Sequence, residues 1–276
     1  MISNTNMVEF EGNHRPLILV TNDDGFDAGG ISVLSEIAGE FGNVVVVAPD
    51  EARSGMSSAI TVKVPLFVSQ VKEEKGLFVF KSNGTPVDCV KLALNSILPR
   101  RPDLVLSGIN HGSNSSSNVH YSGTLGGARE GVMNQLTSAG FSLLDHSHDA
   151  DFSAARPFVR QIIRQVLQFG LPVETFLNVN IPAGNNIKGI KICRQAKGRW
   201  VEEFVEREDP RKQKYYWLTG FFQNLEPNAT DTDEYALKNG YVSVVPCNLD
   251  ITDYSAIGQL RDQSYEMSVN GVFEKD

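Results

Sequence analysis

Short apolar runs alternate with segments of helical periodicity in the first part of the chain. Residues 17–20 form a continuous apolar run, which is typical of a strand covered on both faces. From Gly30 to Phe41 the apolar residues recur at helical spacing, and after Gly42 and Asn43 a second apolar run covers residues 44–47. A strand, a helix and a strand in this order predict a βαβ crossover and therefore a parallel sheet.

The rest of the chain continues this alternation. Thr85 followed by Pro86 indicates the start of a helix, because threonine caps helices and proline suits their first turn. Between residues 197 and 232 the composition shifts to aromatic and charged residues, which indicates a segment that extends from the body or packs at a subunit interface. The other predicted elements are strands at 61–71, 77–81, 104–106, 177–181, 187–193 and 241–246, and helices opening at 123 and spanning about 152–169.

Length and composition narrow the functional classes. The 276 residues suggest about two domains, or one domain with an extension. The net charge of −8 argues against a DNA-binding surface, and no apolar run approaches the roughly 18 residues that suggest a membrane span. The first fifteen residues do not resemble a secretory signal, and three widely spaced cysteines fit reduced thiols. We therefore expect a cytoplasmic protein that binds neither DNA nor a membrane.

Polar side chains follow three of the predicted strands. They are Asp23 and Asp24 after the first strand, residues 50–54 after the second, and residues 107–110 after a later one. Ligands of open parallel sheets bind at the carboxyl ends of the strands, so these side chains should meet in one crevice. An Asp-Asp-Gly sequence is often only a turn, but adjacent carboxylates repel each other unless a cation or hydrogen bonds compensate. The oxygen donors suit Mg²⁺ or Mn²⁺.

A glycine-rich helix start forms the second candidate site. Gly123 and Thr124, followed by Gly126 and Gly127, would present backbone N–H groups to an anion such as phosphate, although such sequences also serve close helix–sheet packing. Neither a Walker loop nor a Gly-x-Gly-x-x-Gly fingerprint is present, which disfavours a dinucleotide-dependent oxidoreductase. His111 and His120 flank the predicted crevice, where a substrate contact or a structural role is expected rather than a metal ligand.

Five ordered motifs between residues 19 and 131 resemble the survival protein SurE family, and the likeness runs from about residue 16 to 255, with residues 230–246 resembling a later strand segment of the family. The five motifs are Leu19-Val20-Thr21-Asn22-Asp23-Asp24-Gly25, Val47-Ala48-Pro49-Asp50 with Ser54-Gly55, Gly84-Thr85-Pro86-Val87-Asp88-Cys89-Val90, Ser107-Gly108-Ile109-Asn110, and Tyr121-Ser122-Gly123-Thr124 with Ala128-Arg129-Glu130-Gly131. The resemblance implies a divalent-metal-dependent phosphatase acting on nucleoside 5′-monophosphates and often 3′-monophosphates, with short polyphosphate a further substrate of some members. It also implies an α/β, Rossmann-like, mostly parallel sheet with helices on both faces.

The resemblance further implies a C-terminal β-rich extension that builds a homodimer or a homotetramer. We accordingly divide the chain into a disordered leader (1–15), a catalytic body (16–195), and an extension with a closing segment that partly packs back on the body (196–276). By resemblance, one Mn²⁺ or Mg²⁺ per subunit is held by Asp23, Asp24, Ser54 and Asn110. The implied substrate or phosphate residues are Asn114, Ser122, Gly123 and Thr124.

Two residues depart from the family pattern. Ser116 and Asn118 stand where the family usually has Gly and Asp, which bears on substrate preference. The mechanism expected from these residues is attack of a metal-activated water on phosphorus, with Asp23 or Asp24 as the catalytic proton acceptor. Two alternatives remain open at this point: a non-catalytic metal- and nucleotide-binding sensor, and a receiver-type signalling module.

Overall fold

Nine strands form one twisted sheet in this computed structural model, which describes residues 8–10, 15–147 and 149–263. In chain order the strands are β1 (Leu17–Thr21), β2 (Asn43–Pro49), β3 (Val68–Glu74), β4 (Leu77–Ser82), β5 (Leu104–His111), β6 (Ser138–Leu143), β7 (Thr175–Ile181), β8 (Ile190–Ile192), β9 (Gly198–Val201), β10 (Phe204–Glu208), β11 (Lys214–Leu218), β12 (Phe221–Asn224) and β13 (Val242–Asn248). The helices are α1 (Gly29–Gly39), α2 (Pro86–Leu92), α3 (Gly123–Met133), α4 (Arg156–Phe169), α5 (Asp233–Lys238) and α6 (Tyr254–Asp262). A π turn (Ala93–Ile97) continues α2, and a 3-10 turn (Ser116–His120) precedes α3.

The order of the strands creates a crevice beside β1. The large sheet runs β3-β4-β2-β1-β5-β6-β7-β13-β8, and β4, β2, β1, β5, β6 and β7 are parallel. The chain builds outward from β1 through β2 to β4 and then returns to β5 on the other side of β1. The carboxyl ends of β1 and β5 therefore lie at the point where the strand order reverses, which is where open α/β sheets bind ligands.

Helices cover both faces of the sheet, as the sequence predicts. One apolar cluster joins α1 and α4 to β1, β5, β6 and β7 through residues such as Ile31, Ile162 and the β6 residue Phe141. A second cluster packs α2 against the opposite face through Val90 and Phe80, and α3 covers the same face through Leu125. Burying the strands on both sides explains why their sequences are nearly continuous apolar runs.

Several predicted elements differ in extent; β8 (Ile190–Ile192), for example, is shorter than the strand predicted over 187–193. The strand predicted over 61–71 begins only at Val68. Pro65 has no N–H to donate to a neighbouring strand. The Asn83 side chain donates to the Pro65 carbonyl (3.2 Å) and accepts from the Phe67 N–H (2.7 Å), so these backbone groups bond to a side chain and not to a strand. The helix predicted from about 152 begins at Arg156, with Pro157 in its first turn.

The leader differs from the expected disorder at two residues. Val8 is buried, and Phe10 packs edge to face against Phe78 with ring centroids 5.2 Å apart. Glu9 between them is exposed, and residues 1–7 and 11–14 lie outside the described part of the chain.

Residues beyond 195 form two antiparallel ribbons and then return to the large sheet. Strand β9 pairs with β12 and β10 pairs with β11, and their exposed side chains include Phe204, Tyr216 and Leu218. Strand β13 then inserts between β7 and β8. Among the described residues, none of the helices has the length and apolar character needed to cross a bilayer.

Candidate functional site

The two adjacent acids lie immediately after β1 and differ in their surroundings. Asp23 is only 4% exposed, and its Oδ1 accepts a hydrogen bond from the Thr124 hydroxyl at 2.5 Å. Burial raises the pKa of Asp23 to about 6, the charge of Asp24 adds to that rise, and hydrogen bonding by Thr124 opposes it. A buried carboxylate beside a second carboxylate is an environment that a cation would stabilise.

Asp24 and Asn110 face the same crevice from β1 and β5. The Oδ2 atom of Asp24 accepts a hydrogen bond from the His111 N–H at 3.2 Å, and burial raises the pKa of Asp24. The Nδ2 atom of Asn110 donates to the Gly112 carbonyl at 2.8 Å, which engages the amide nitrogen and leaves Oδ1 as the side-chain atom suited to a cation. Asn110 lies within β5, which runs to His111, five residues beyond the end expected from the apolar run at 104–106.

The loop that carries Ser54 is tied to both neighbouring segments. The Arg53 N–H donates to the Asp23 carbonyl at 2.7 Å, and the Ser57 hydroxyl donates to the His120 carbonyl at 2.7 Å. Ser54 itself is exposed, one residue after the bond to Asp23. The structure thus brings the loop of Ser54 to the crevice, and its role as a metal ligand stays a prediction.

The start of α3 packs directly against Asp23. A Cβ atom built on Gly123 would lie 2.9 Å from Asp23 Oδ2, so the absence of a side chain allows this approach. The Ser122 hydroxyl accepts a bond from the Leu125 N–H at 3.1 Å and thereby caps the helix. Ser122 and Thr124 therefore already have partners within the protein, while the backbone N–H of Gly123 lies at the positive end of the helix dipole.

Asn114 lies in a buried polar network that sequence reasoning missed. Its backbone N–H donates to Asn180 Oδ1 at 2.8 Å, its Nδ2 donates to Ser142 Oγ at 2.8 Å, and its carbonyl accepts from Asn178 Nδ2 at 2.9 Å. The signal was present: Asn178 and Asn180 alternate with apolar residues in a strand that is otherwise fully apolar from 176 to 181. Two buried amide side chains on one face of such a strand indicate that polar groups pack against that face.

The donor set fits a hard divalent cation. Three oxygen atoms at the carboxyl end of β1 and on the adjoining part of β5 are buried without a hydrogen-bond partner, namely Thr21 Oγ1, Asn22 Oδ1 and Ser107 Oγ. Such orphaned atoms indicate that the crevice holds water or an ion. Across the ranges 8–10, 15–147 and 149–263, no group of three or more His, Cys, Asp or Glu side chains is arranged for a metal. That finding is compatible with two carboxylates completed by an amide and a hydroxyl, which suits Mg²⁺ or Mn²⁺ better than zinc.

Fold and site together define an α/β protein with an acidic oxygen-donor site at the switch point of its sheet, beside a glycine-rich helix start. A model of the family described as Survival protein SurE matches residues 18–202, about two thirds of the chain. The chain belongs to this family.

Individual relatives extend the match. The chain is 49% identical over 253 residues to the 5′-nucleotidase SurE of Phocaeicola vulgatus, covering 92% of this chain and 98% of that protein. It is 52% identical over 254 residues to the 5′-nucleotidase SurE of Christiangramia forsetii, covering 91% and 97%. The crystal structure of the SurE protein from Aquifex aeolicus superposes with a TM-score of 0.78 at 38% identity, covering 90% of this chain and 100% of that one. The fold predicted from the sequence is confirmed.

Proposed function

We propose that this protein is a divalent-metal-dependent phosphomonoesterase that hydrolyses nucleoside 5′-monophosphates to nucleoside and phosphate. The observation that carries the proposal is the placement of Asp23 and Asp24 at the end of β1, against the start of α3. The relatives named above as 5′-nucleotidases support the reaction class. Neither a receiver-type module nor a silent sensor is favoured by this family membership.

The residues that would hold the cation are Asp23, Asp24, Asn110 and Ser54. When bound, a divalent cation supplies Lewis-acid activation of water and neutralises charge on the phosphoryl oxygens. Thr124 keeps Asp23 oriented through the hydrogen bond from its hydroxyl. The Gly123 N–H, at the positive end of α3, orients a phosphoryl oxygen.

Asp24 is the acid that we assign as proton acceptor. Asp23 is buried and bonded to the Thr124 hydroxyl, whereas Asp24, which accepts from the His111 N–H, is less buried. Asp24 is thus the carboxylate more accessible to an attacking water. Asn114, held by Asn180 and Ser142, would contact the substrate at the far side of the crevice.

Several finer features belong to the same proposal. The enzyme would be a 5′-nucleotidase type of phosphoric monoester hydrolase that also accepts 3′-monophosphates and short polyphosphate, with Mn²⁺ or Mg²⁺ as its cation. Residues 196–276 would assemble a homodimer or homotetramer, which the exposed Phe204 and Leu218 of the ribbons support. The three unpaired cysteines and the bacterial relatives support a cytoplasmic location.

The test is phosphate release from nucleoside 5′- and 3′-monophosphates by metal-stripped protein, with and without added Mn²⁺ or Mg²⁺. Asp24→Asn should lower turnover by orders of magnitude with the melting temperature nearly unchanged. Asp27→Asn is the matched control, because it removes the same charge from an exposed carboxylate three residues away. Wild-type turnover in Asp24→Asn at saturating Mn²⁺ would remove Asp24 from the mechanism. Folded wild-type protein that binds nucleotide without turnover would indicate the sensor instead.

A further inference from the structure

The loop that carries Asn114 is held by residues of the extension. The Ser115 hydroxyl donates to Glu234 Oε1 at 2.6 Å, and the Ser116 N–H donates to Asp233 Oδ2 at 2.8 Å. The Trp200 indole N–H donates to Asn118 Oδ1 at 2.8 Å. Consecutive parts of a loop between β5 and α3 are thus bonded to segments that follow it by 80 residues or more. The extension therefore contacts the candidate substrate pocket as well as forming the two ribbons.

Asn118 connects this contact to both sides of the pocket. Its Nδ2 donates to the Ser113 carbonyl at 3.1 Å, one residue before Asn114. Its backbone carbonyl accepts the Ser122 N–H at 3.1 Å, one residue before Gly123. The side-chain oxygen is occupied by Trp200, so the amide uses both of its ends. A displacement of Asn118 would consequently shift Asn114 relative to the start of α3, which Thr124 holds against Asp23.

We propose that Trp200 is a positioning residue for substrate binding: through Asn118 it sets the distance between Asn114 and the N-terminus of α3. The inference rests on the proposed function, because it assigns those two groups to the substrate. The bond requires an indole N–H, which phenylalanine lacks. It also accounts for the departure from the family at Asn118, since an aspartate there would set a carboxylate oxygen against the Ser113 carbonyl and lose the donor.

The loop is further fixed at Ser116, the second departure from the family. Its φ of +51° is a left-handed conformation that favours glycine, and the residue is buried. The Ser116 hydroxyl donates to the Ala196 carbonyl at 2.8 Å, a bond that glycine could not make. The two residues that distinguish this loop from the family pattern thus both bond to residues 196–200, at the start of the extension.

The experiment compares Trp200→Phe with Trp217→Phe. These are the only two tryptophans of the chain, and Trp217 is a 63% exposed residue of strand β11 in the same extension. Steady-state kinetics with a nucleoside 5′-monophosphate at saturating Mn²⁺ should show KM about five-fold higher in Trp200→Phe with kcat within two-fold of wild type. The reason is that the affected groups bind substrate without holding the cation. Trp217→Phe should match wild type, and Asn118→Asp should resemble Trp200→Phe.

A second measurement does not depend on turnover. Hydrogen exchange of the amides at 113–122 should be faster in Trp200→Phe than in Trp217→Phe, with sedimentation confirming the same oligomeric state for both. Equal KM values in the two tryptophan variants, or a fall in kcat and melting temperature with KM unchanged, would overturn the proposal. If wild-type protein shows no turnover, the proposed function fails; exchange at 113–122 that is equal in both variants would then overturn the positioning role as well.

Discussion

Gly123 is the position where the smallest added side chain should disturb the candidate metal site. An alanine Cβ would lie 2.9 Å from both Cβ and Oδ2 of Asp23, whereas ordinary contact begins near 3.4 Å, so the groups must separate by about 0.5 Å. Asp23 cannot retreat freely, because it is buried and held by the Thr124 hydroxyl. The substitution therefore forces a metal ligand, the helix start, or both to move.

The energetic expectation has two opposing parts. Overpacking costs about 1–3 kcal/mol, while replacing glycine by alanine in a helix contributes up to about 1 kcal/mol in the other direction. A net destabilisation of about 0–2 kcal/mol is too small to unfold a domain of this size. The effect on catalysis should be larger, because a displacement of 1 Å in a reacting geometry can cost about 100-fold. We expect kcat/KM to fall about tenfold or more in Gly123→Ala.

The matched control is Gly39→Ala in the last turn of α1, where the added Cβ would meet nothing within 4 Å. Phosphate release from a nucleoside 5′-monophosphate, titrated with Mn²⁺, should be unchanged in this control and impaired in Gly123→Ala. Melting temperatures measured in parallel separate loss of activity from loss of fold. Wild-type kcat/KM and Mn²⁺ requirement in Gly123→Ala would refute the close packing of α3 on Asp23 as a functional constraint.

Three further predictions concern the cation and the buried acids. Chelation of divalent cations should abolish phosphate release and added Mn²⁺ should restore it in the same sample; undiminished release after chelation would contradict a metal-dependent reaction. Thr124→Val removes a hydrogen bond from Asp23 and should raise the pKa of that carboxyl further above about 6. Because protons then compete better with the cation for Asp23, the Mn²⁺ concentration for half-maximal activity should rise about tenfold. The rise should be larger at pH 6 than at pH 8. An equal rise at both pH values would argue against proton competition at Asp23. Asp233→Ala leaves the buried N–H groups of Ser116 and Ala196 without an acceptor. The free energy of unfolding measured in urea should therefore fall by about 2–4 kcal/mol. A fall below about 0.5 kcal/mol would show that the two N–H groups find other acceptors.

Much of the fold could be predicted because it depends on local patterns. The apolar runs at 17–20 and 44–47 are strands β1 and β2, and the Thr85-Pro86 start is an observed capping box whose Asp88 side chain bonds back to Thr85. The predicted strand that failed did so because of a contact outside its own segment. The strand predicted from residue 61 is replaced up to residue 67 by a segment bonded to a side chain, Asn83, which no periodicity can indicate.

The candidate site was less completely predictable. Asp23, Asp24 and Asn110 could be grouped because parallel strands bring their carboxyl ends to one edge. The hydrogen bond between Thr124 and Asp23 and the network of Asn114 with Asn180 could not, since each joins residues more than 60 positions apart. The sequence does not determine whether these side chains face substrate or each other, and only the folded positions show that they contact each other.

The sequence by itself determined the class of sheet, the acidic pair at its edge and the resemblance to a phosphatase family, because these follow from periodicity, residue chemistry and ordered motifs. The tertiary structure decided which acid is buried, how closely α3 approaches it and which segment holds the loop of Asn114. The physical reason is separation along the chain, because burial, close packing and the bond from Trp200 to Asn118 arise between residues that are distant in sequence. Such contacts exist only once the strand order has brought the two segments together.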